Sequence, residues 1–64
     1  MIRLTGMNGK EFVLNDEQIE KIDEVPETVI MLINGNKYIV EESSDEVIDK
    51  VINFKKQIFK GNFK

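Results

Sequence analysis

The feature that most restricts this chain is an apolar run near its middle, Val29-Ile30-Met31-Leu32-Ile33. Asn34-Gly35 follows at once, and Tyr38-Ile39-Val40 then returns as a second segment of strand character. Successive side chains of a strand point to opposite faces, so an unbroken apolar run predicts a strand that is sheltered from water on both sides. In a chain of 64 residues one helix can cover one face. The other face must then be covered by the sheet curling on itself or by a second copy.

The two faces of this central strand are the candidate self-association or core faces. Alternation divides the residues into two sets, which are Val29, Met31 and Ile33 on one side and Ile30 and Leu32 on the other. We expect one set to meet the helix and the other to meet a partner copy or the inside of a closed barrel.

The small size of the chain makes a single core marginally stable, so that disulfides, metals or oligomerisation often contribute in such domains. There is no cysteine and no histidine, which excludes disulfides, thiolate nucleophiles and the commonest metal ligand. Hydrophobic residues make up 41% and charged residues 33%, which is typical of a folded domain. We therefore expect a homo-oligomer without a cofactor or a metal.

The charge and hydropathy of the chain limit its partners and its location. Nine basic and twelve acidic residues give a net charge of −3, which disfavours nucleic acid and anionic lipid. The amino terminus lacks the apolar core of a signal peptide, and no stretch is long enough to cross a membrane. We expect a cytoplasmic protein without nucleic acid, whose contact with a membrane is at most peripheral.

Two Asn-Gly pairs predict two β-hairpins. Asn8-Gly9 separates Ile2–Thr5 from a strand at Phe12–Leu14, and Asn34-Gly35 separates the central strand from Lys37–Val40. Both residue types tolerate the positive φ of a type I′ turn, which is the geometry predicted for the first hairpin. The irregular apolar spacing of Ile19 to Val25 is best explained by a strand with a bulge.

The segment that begins at Ser43 predicts a helix. Ser43-Ser44-Asp45-Glu46 matches a capping box, acidic residues cluster at the start, and Gly61 is expected to end the helix. The apolar side chains recur at helical spacing, which predicts an amphipathic lid for the sheet. The predicted lid consists of Val47, Ile48, Val51, Ile52, Phe54 and Ile58.

These elements predict one domain of the α+β class, a small antiparallel β-meander of four to five strands followed by one C-terminal amphipathic helix. The meander is assigned to residues 1–42, the helix to 43–60 and a tail to 61–64.

Carboxylates are numerous, but their spacing lacks the D-x-D-x-D-G pattern of a calcium loop. A pair of acids that does general acid–base catalysis needs a partly desolvated pocket, for which this short chain has little room. We therefore expect no catalytic residues and no enzymatic activity.

A series of short motifs runs along most of this chain. The motifs are Met1-Ile2-x-Leu4-Thr5, Asn8-Gly9, Phe12-x-Leu14-Asn15, Ile19-Glu20-x-Ile22, Pro26-x-Thr28-Val29-Ile30-x-Leu32, Asn34-Gly35-x-Lys37-Tyr38-x-Val40, and Glu42-Ser43 with Glu46-Val47. Taken together, they resemble the FlbD/SwrD family of small flagellar proteins. No single motif is diagnostic, but their order and spacing cover most of the chain. Gly6 departs from the pattern, because a larger polar or basic residue is usual there.

The resemblance implies a bacterial protein of flagellar and swarming motility that supports the power output of the motor, with no catalytic residues. It would place the protein in the cytoplasm, at the inner face of the membrane near the motor. The physical reading of the residues favours a protein–protein adaptor, with a flagellar motor or stator component as its partner.

Two other functions stay open at this point. The opening Met1–Thr5 with its glycine-bearing hairpin also resembles the carbon-storage regulators, which would imply a small RNA-binding post-transcriptional regulator, although the basic rim that RNA requires is missing. The lysines from Lys50 to Lys60 could instead hold the helix on a membrane surface, acting on flagellar components from there.

Overall fold

The fold is an α+β arrangement of two small antiparallel sheets and one helix, which confirms the predicted class. The computed structural model describes residues 1–61, with side chains for residues 1–59. In chain order the elements are β1 (Ile2–Thr5), β2 (Glu11–Leu14), a single 3-10 turn (Asp16–Gln18), β3 (Ile19–Asp23), β4 (Thr28–Leu32), β5 (Lys37–Val40) and α1 (Ser44–Gly61). Residues 62–64, which belong to the predicted tail, lie outside the described residues.

The strands form a two-stranded sheet, β1-β2, and a three-stranded sheet in the order β3-β4-β5. The two sheets are joined at one point, where Gly6 forms a bridge with Val40 and the Glu41 amide donates to the Thr5 carbonyl at 2.8 Å. The aromatic rings of Phe12 and Tyr38 also meet there, with centroids 5.4 Å apart. This junction joins the two sheets but leaves the outward side chains of β4 only half-buried.

Both hairpins form at the predicted places, but the type I′ geometry predicted for the first hairpin is wrong. Only the glycines have positive φ, at 82° for Gly9 and 93° for Gly35, and no other residue among those described does. In each loop the glycine amide donates to a carbonyl three residues earlier, Gly6 in one case and Leu32 in the other. This is the three-residue loop in which a turn is closed by a left-handed glycine, so the asparagines need no positive φ.

The third strand has the bulge that its apolar spacing predicts. Its register against β4 shifts between Ile19 and Lys21, after which Ile22 lies opposite Ile30. The bulge lets Ile19 and Ile22, which are an odd number of residues apart, pack against the same core. Pro26, whose peptide bond with Val25 is cis, lies in the connection between β3 and β4.

The core lies between the sheets and the first half of α1. Its buried apolar residues are Ile2, Leu4, Leu14, Ile30, Leu32, Val40 and Val47. Every strand except β3 supplies at least one of them, and β3 adds half-buried isoleucines at the margin.

Helix α1 begins as the capping box predicts. The Ser43 hydroxyl accepts a hydrogen bond from the Glu46 amide at 3.1 Å, and the Glu46 carboxylate accepts one from the Ser43 amide at 2.8 Å. Ser43 is thus the residue before the first helical residue, and it satisfies an amide that the first turn leaves without a partner.

Candidate interaction surfaces

The central strand β4 has one fully buried face and one partly open face. Thr28, Ile30 and Leu32 point inward and are buried, whereas Val29 and Met31 point outward and are half-buried. Ile33 lies just beyond the strand and is 63% exposed. The sequence left open which of the two sets faces the core. The structure places Ile30 and Leu32 there, and within a single chain it leaves the face of Val29 and Met31 partly open.

The open side of the three-stranded sheet forms a small apolar surface with charged borders. Antiparallel pairing sets Ile39 of β5 beside Val29, and Lys21 and Lys37 on either side of Met31. Ile39 is 44% exposed. We call Val29, Met31, Ile39, Lys21 and Lys37 the outer sheet face. At the margin of this face, Lys21 Nζ lies 3.6 Å from Asp23 Oδ2. Lys37, the other lysine of the face, has no ion pair among the described side chains.

The helix acts as a lid along only one of its two apolar lines. Val47 is fully buried, Val51 and Phe54 pack against the core, and Ile58 is half-buried. Ile48 and Ile52, which the sequence also assigned to the lid, lie on the solvent side of the helix and are nearly half exposed. The width of the stripe therefore exceeds what the sheet of one chain can cover.

A charged cluster ties the 3-10 turn to the helix and to the first residue, and sequence reasoning missed it. Asp16 is buried, its Oδ1 lies 2.7 Å from the Met1 ammonium, and its Oδ2 lies 3.6 Å from Lys55 Nζ. Lys55 also donates a hydrogen bond to Glu17 at 2.6 Å. The only local signal was Asn15, whose side chain accepts a hydrogen bond from the Glu17 amide and so fixes the turn. The partners of Asp16 are far away in sequence, so no spacing pattern could identify them.

The electrostatics of this cluster favour its charged forms. Burial raises the pKa of Asp16, but the hydrogen bond from the Met1 ammonium, the backbone hydrogen bond and the positive charge of Lys55 together outweigh burial and hold the pKa below its ordinary value. The hydrogen bond to Glu17 raises the pKa of Lys55. The cluster is thus a structural contact that joins three elements.

A second carboxylate fastens the start of the helix segment to the first sheet. The Glu42 carboxylate accepts a hydrogen bond from the Thr5 amide at 3.0 Å. Burial raises the pKa of Glu42, whereas this hydrogen bond and the nearby Lys50 lower it by more, so that the pKa lies below its usual value. Glu42 therefore holds the end of β1 as an anion.

A cleft with a volume of about 570 Å³ has an acidic lining. Four glutamates line it, which are Glu24, Glu27, Glu41 and Glu46. The Ser44 hydroxyl at the first turn of α1 donates a hydrogen bond to Glu24 near this cleft. No group of acidic residues in the described part of the chain has the geometry to hold a metal ion.

A smaller cleft of about 360 Å³ lies at the junction of the two sheets. Phe12, Tyr38 and Ile39 contribute its apolar wall, and Lys10 and Glu11 contribute charges. Phe12 is half-buried and packs on the core, so the aromatic pair serves the sheet junction, as expected for sheet-face aromatics.

None of the helices within residues 1–61 combines the length and the apolar character needed to cross a lipid bilayer.

Comparison with known proteins gives one match. A family model described as "FlbD: Flagellar and Swarming motility proteins" matches residues 1–59 of the 64-residue chain. Neither the curated proteins nor the solved structures include a significant match. The matched region contains every strand and nearly all of the helix.

Proposed function

This chain belongs to the FlbD family of flagellar and swarming motility proteins, and we propose that it serves motility as a non-enzymatic protein–protein adaptor. In this proposal it forms a homo-oligomer in the cytoplasm, at the inner face of the membrane, and binds a component of the flagellar motor or its stator. Through that contact it would support the power output of the motor.

The observation that carries the proposal is the outer sheet face. Val29, Met31 and Ile39 form a contiguous apolar surface on the side of the sheet that faces away from the core and the helix. Apolar surface with a polar rim is typical of protein-binding sites, because the apolar centre contributes affinity and the rim contributes orientation. Lys37 at the border favours a partner with an acidic group beside an apolar anchor.

The absence of histidine and cysteine from the chain supports a role in binding. The acidic cleft is open to solvent, whereas general acid–base catalysis depends on a partly desolvated pocket. A sheet that presents a preformed surface fits an adaptor better than it fits a catalyst.

The proposal is tested by a matched pair of charged substitutions, Ile39→Glu and Val13→Glu. Both residues are β-branched and lie on strands, and the exposed fraction is 44% for Ile39 and 55% for Val13. Val13, however, lies on the two-stranded sheet and outside the outer sheet face. In motile cells a photo-crosslinker at position 39 should capture a motor or stator protein, identified by mass spectrometry, and one at position 13 should not.

Ile39→Glu should weaken binding of the captured protein by about tenfold or more, because a charge would then be buried against an apolar anchor. It should also reduce swarming and the torque of tethered cells, while Val13→Glu leaves both unchanged. Equal urea stability of the two variants serves as the control for folding. Normal motility and unchanged capture with Ile39→Glu would contradict the proposal.

A further inference from the structure

Helix α1 carries a second apolar line on its solvent side. Ile48, Ile52 and Phe59 are 44%, 46% and 71% exposed. At 3.6 residues per turn these three positions lie within about 40° of one another around the helix axis. We call them the outer helix line. It lies on a different side of the helix from Val47, Val51 and Phe54, which pack against the core.

The charges beside the outer helix line are separated along its length. Asp45 and Asp49 flank the first half, and Lys55 and Lys56 flank the second half. Lys55 already binds Glu17, so among the described side chains of this half Lys56 is the exposed cation without an ion pair. The apolar line thus has an acidic beginning and a basic end.

This charge pattern is complementary to itself when one copy is reversed. In an antiparallel pair, the register that places Asp49 opposite Lys56 of a second copy also places Ile52 beside Ile52 of that copy. The two helix dipoles are then opposed as well, which is favourable. A parallel pair would set acid against acid and base against base.

We propose that α1 pairs with α1 of a second copy in antiparallel orientation through the outer helix line, with reciprocal Asp49–Lys56 ion pairs. The inference deepens the proposed homo-oligomer by giving its interface, and leaves the outer sheet face of each copy open for a motility component. The same pattern disfavours an anionic membrane as the occupant, because Asp45 and Asp49 would lie against the negative lipid headgroups.

The first test is the oligomeric state of the full chain, measured by sedimentation equilibrium across a range of concentrations. The wild-type chain should dimerise, and Ile52→Glu should weaken self-association by at least about tenfold, because it would bury charge in the helix contact. Val13→Glu, on the two-stranded sheet and outside both apolar surfaces, is the matched control and should leave self-association unchanged. Circular dichroism checks that each variant keeps its helix.

The second test uses charge reversal, which does not depend on an apolar substitution. We expect each single variant, Asp49→Lys or Lys56→Asp, to weaken self-association, because it places like charges opposite each other. The ion pair is exposed and occurs twice in the dimer, so the loss should be about threefold to tenfold. An equimolar mixture of the two variants should dimerise again, because every charged contact between different copies is then attractive.

Three results would overturn the inference. The first is a wild-type chain that stays monomeric at millimolar concentration. The second is a dimer that Ile39→Glu abolishes and Ile52→Glu leaves intact, which would assign self-association to the outer sheet face. The third is a charge-reversal mixture that self-associates no better than its separate components. Capture of a motility protein is measured at position 39, whereas self-association is measured with the helix variants. The adaptor proposal can therefore be contradicted while helix pairing is supported, and helix pairing can be contradicted while the adaptor proposal is supported.

Discussion

At the scale of single residues, the least expected feature is the buried carboxylate of Asp16. A buried charge is tolerated when it is paired, and here two cationic groups, the Met1 ammonium and Lys55, approach its two oxygens. The negative charge is therefore a link between the 3-10 turn and the second half of α1. The sequence showed only an acidic residue in a polar segment.

Asp16→Asn tests this link. At neutral pH we expect the free energy of unfolding to fall by about 1–3 kcal/mol, the usual cost of losing a charge-assisted buried hydrogen bond. The pKa of Asp16 is lower in the folded chain than its ordinary value of 3.8, so its stabilisation is present above pH 3.8 and is lost as the pH falls through the folded-state pKa. The urea stabilities of the two proteins should therefore converge in that acidic range.

Glu17→Gln is the matched control, because Glu17 binds the same lysine from an exposed position. Exposed ion pairs contribute little, so its effect should stay within about 0.5 kcal/mol. A constant difference between Asp16→Asn and the wild type at all pH values would contradict the assignment.

At the scale of elements, the helix and the hairpins follow local sequence closely. The capping box of Ser43 and Glu46 forms both of its hydrogen bonds, and each Asn-Gly pair marks a loop. The predicted turn type was wrong because asparagine tolerates a positive φ but does not require one. Each glycine alone supplies the left-handed residue.

Ser43→Ala should lower the free energy of unfolding by about 1 kcal/mol, since it removes the side-chain oxygen that accepts from the Glu46 amide. Urea denaturation followed by helical circular dichroism measures the change. Glu46→Gln keeps an acceptor for the Ser43 amide, and we expect a smaller loss from it. If the glutamine variant is the less stable of the two, the hydroxyl is not the main contribution of the cap.

At the scale of the whole molecule, the two faces of β4 have different environments, because one face is buried in the core and the other is only half-buried. Ile30 is fully buried, while Ile39 lies across the sheet on the outer face. Together with the outer helix line, the outer sheet face gives a single chain two separate apolar surfaces. In a dimer joined at the helices, two outer sheet faces would be displayed, which would make the adaptor bivalent.

The asymmetry of the sheet can be measured with one substitution made on each face. Ile30→Val removes a methylene group from a filled core and should cost about 0.5–1.5 kcal/mol, whereas Ile39→Val at the partly exposed site should cost less than about 0.5 kcal/mol. Both values come from urea denaturation at one protein concentration. Equal losses would indicate that the outer face is as tightly packed as the core.

Much of the fold was predictable because its signals are local. Alternation in β4, the capping box of α1 and the glycines of the hairpins depend on neighbours within a few residues, so the sequence alone determined the elements, their order and the α+β class. The motifs distributed along the chain also identified the family that the match to residues 1–59 confirms.

Tertiary structure decided which apolar residues are covered and which charges meet. The sequence could not separate Val47 from Ile48, since both belong to one wide stripe, and only the placement of the sheets buries the first and leaves the second at the surface. It could not pair Asp16 with Lys55 or Glu42 with Thr5 either, because these contacts join distant parts of the chain. Local patterns fix how the backbone folds within each segment, whereas burial and electrostatic pairing depend on how the segments pack together.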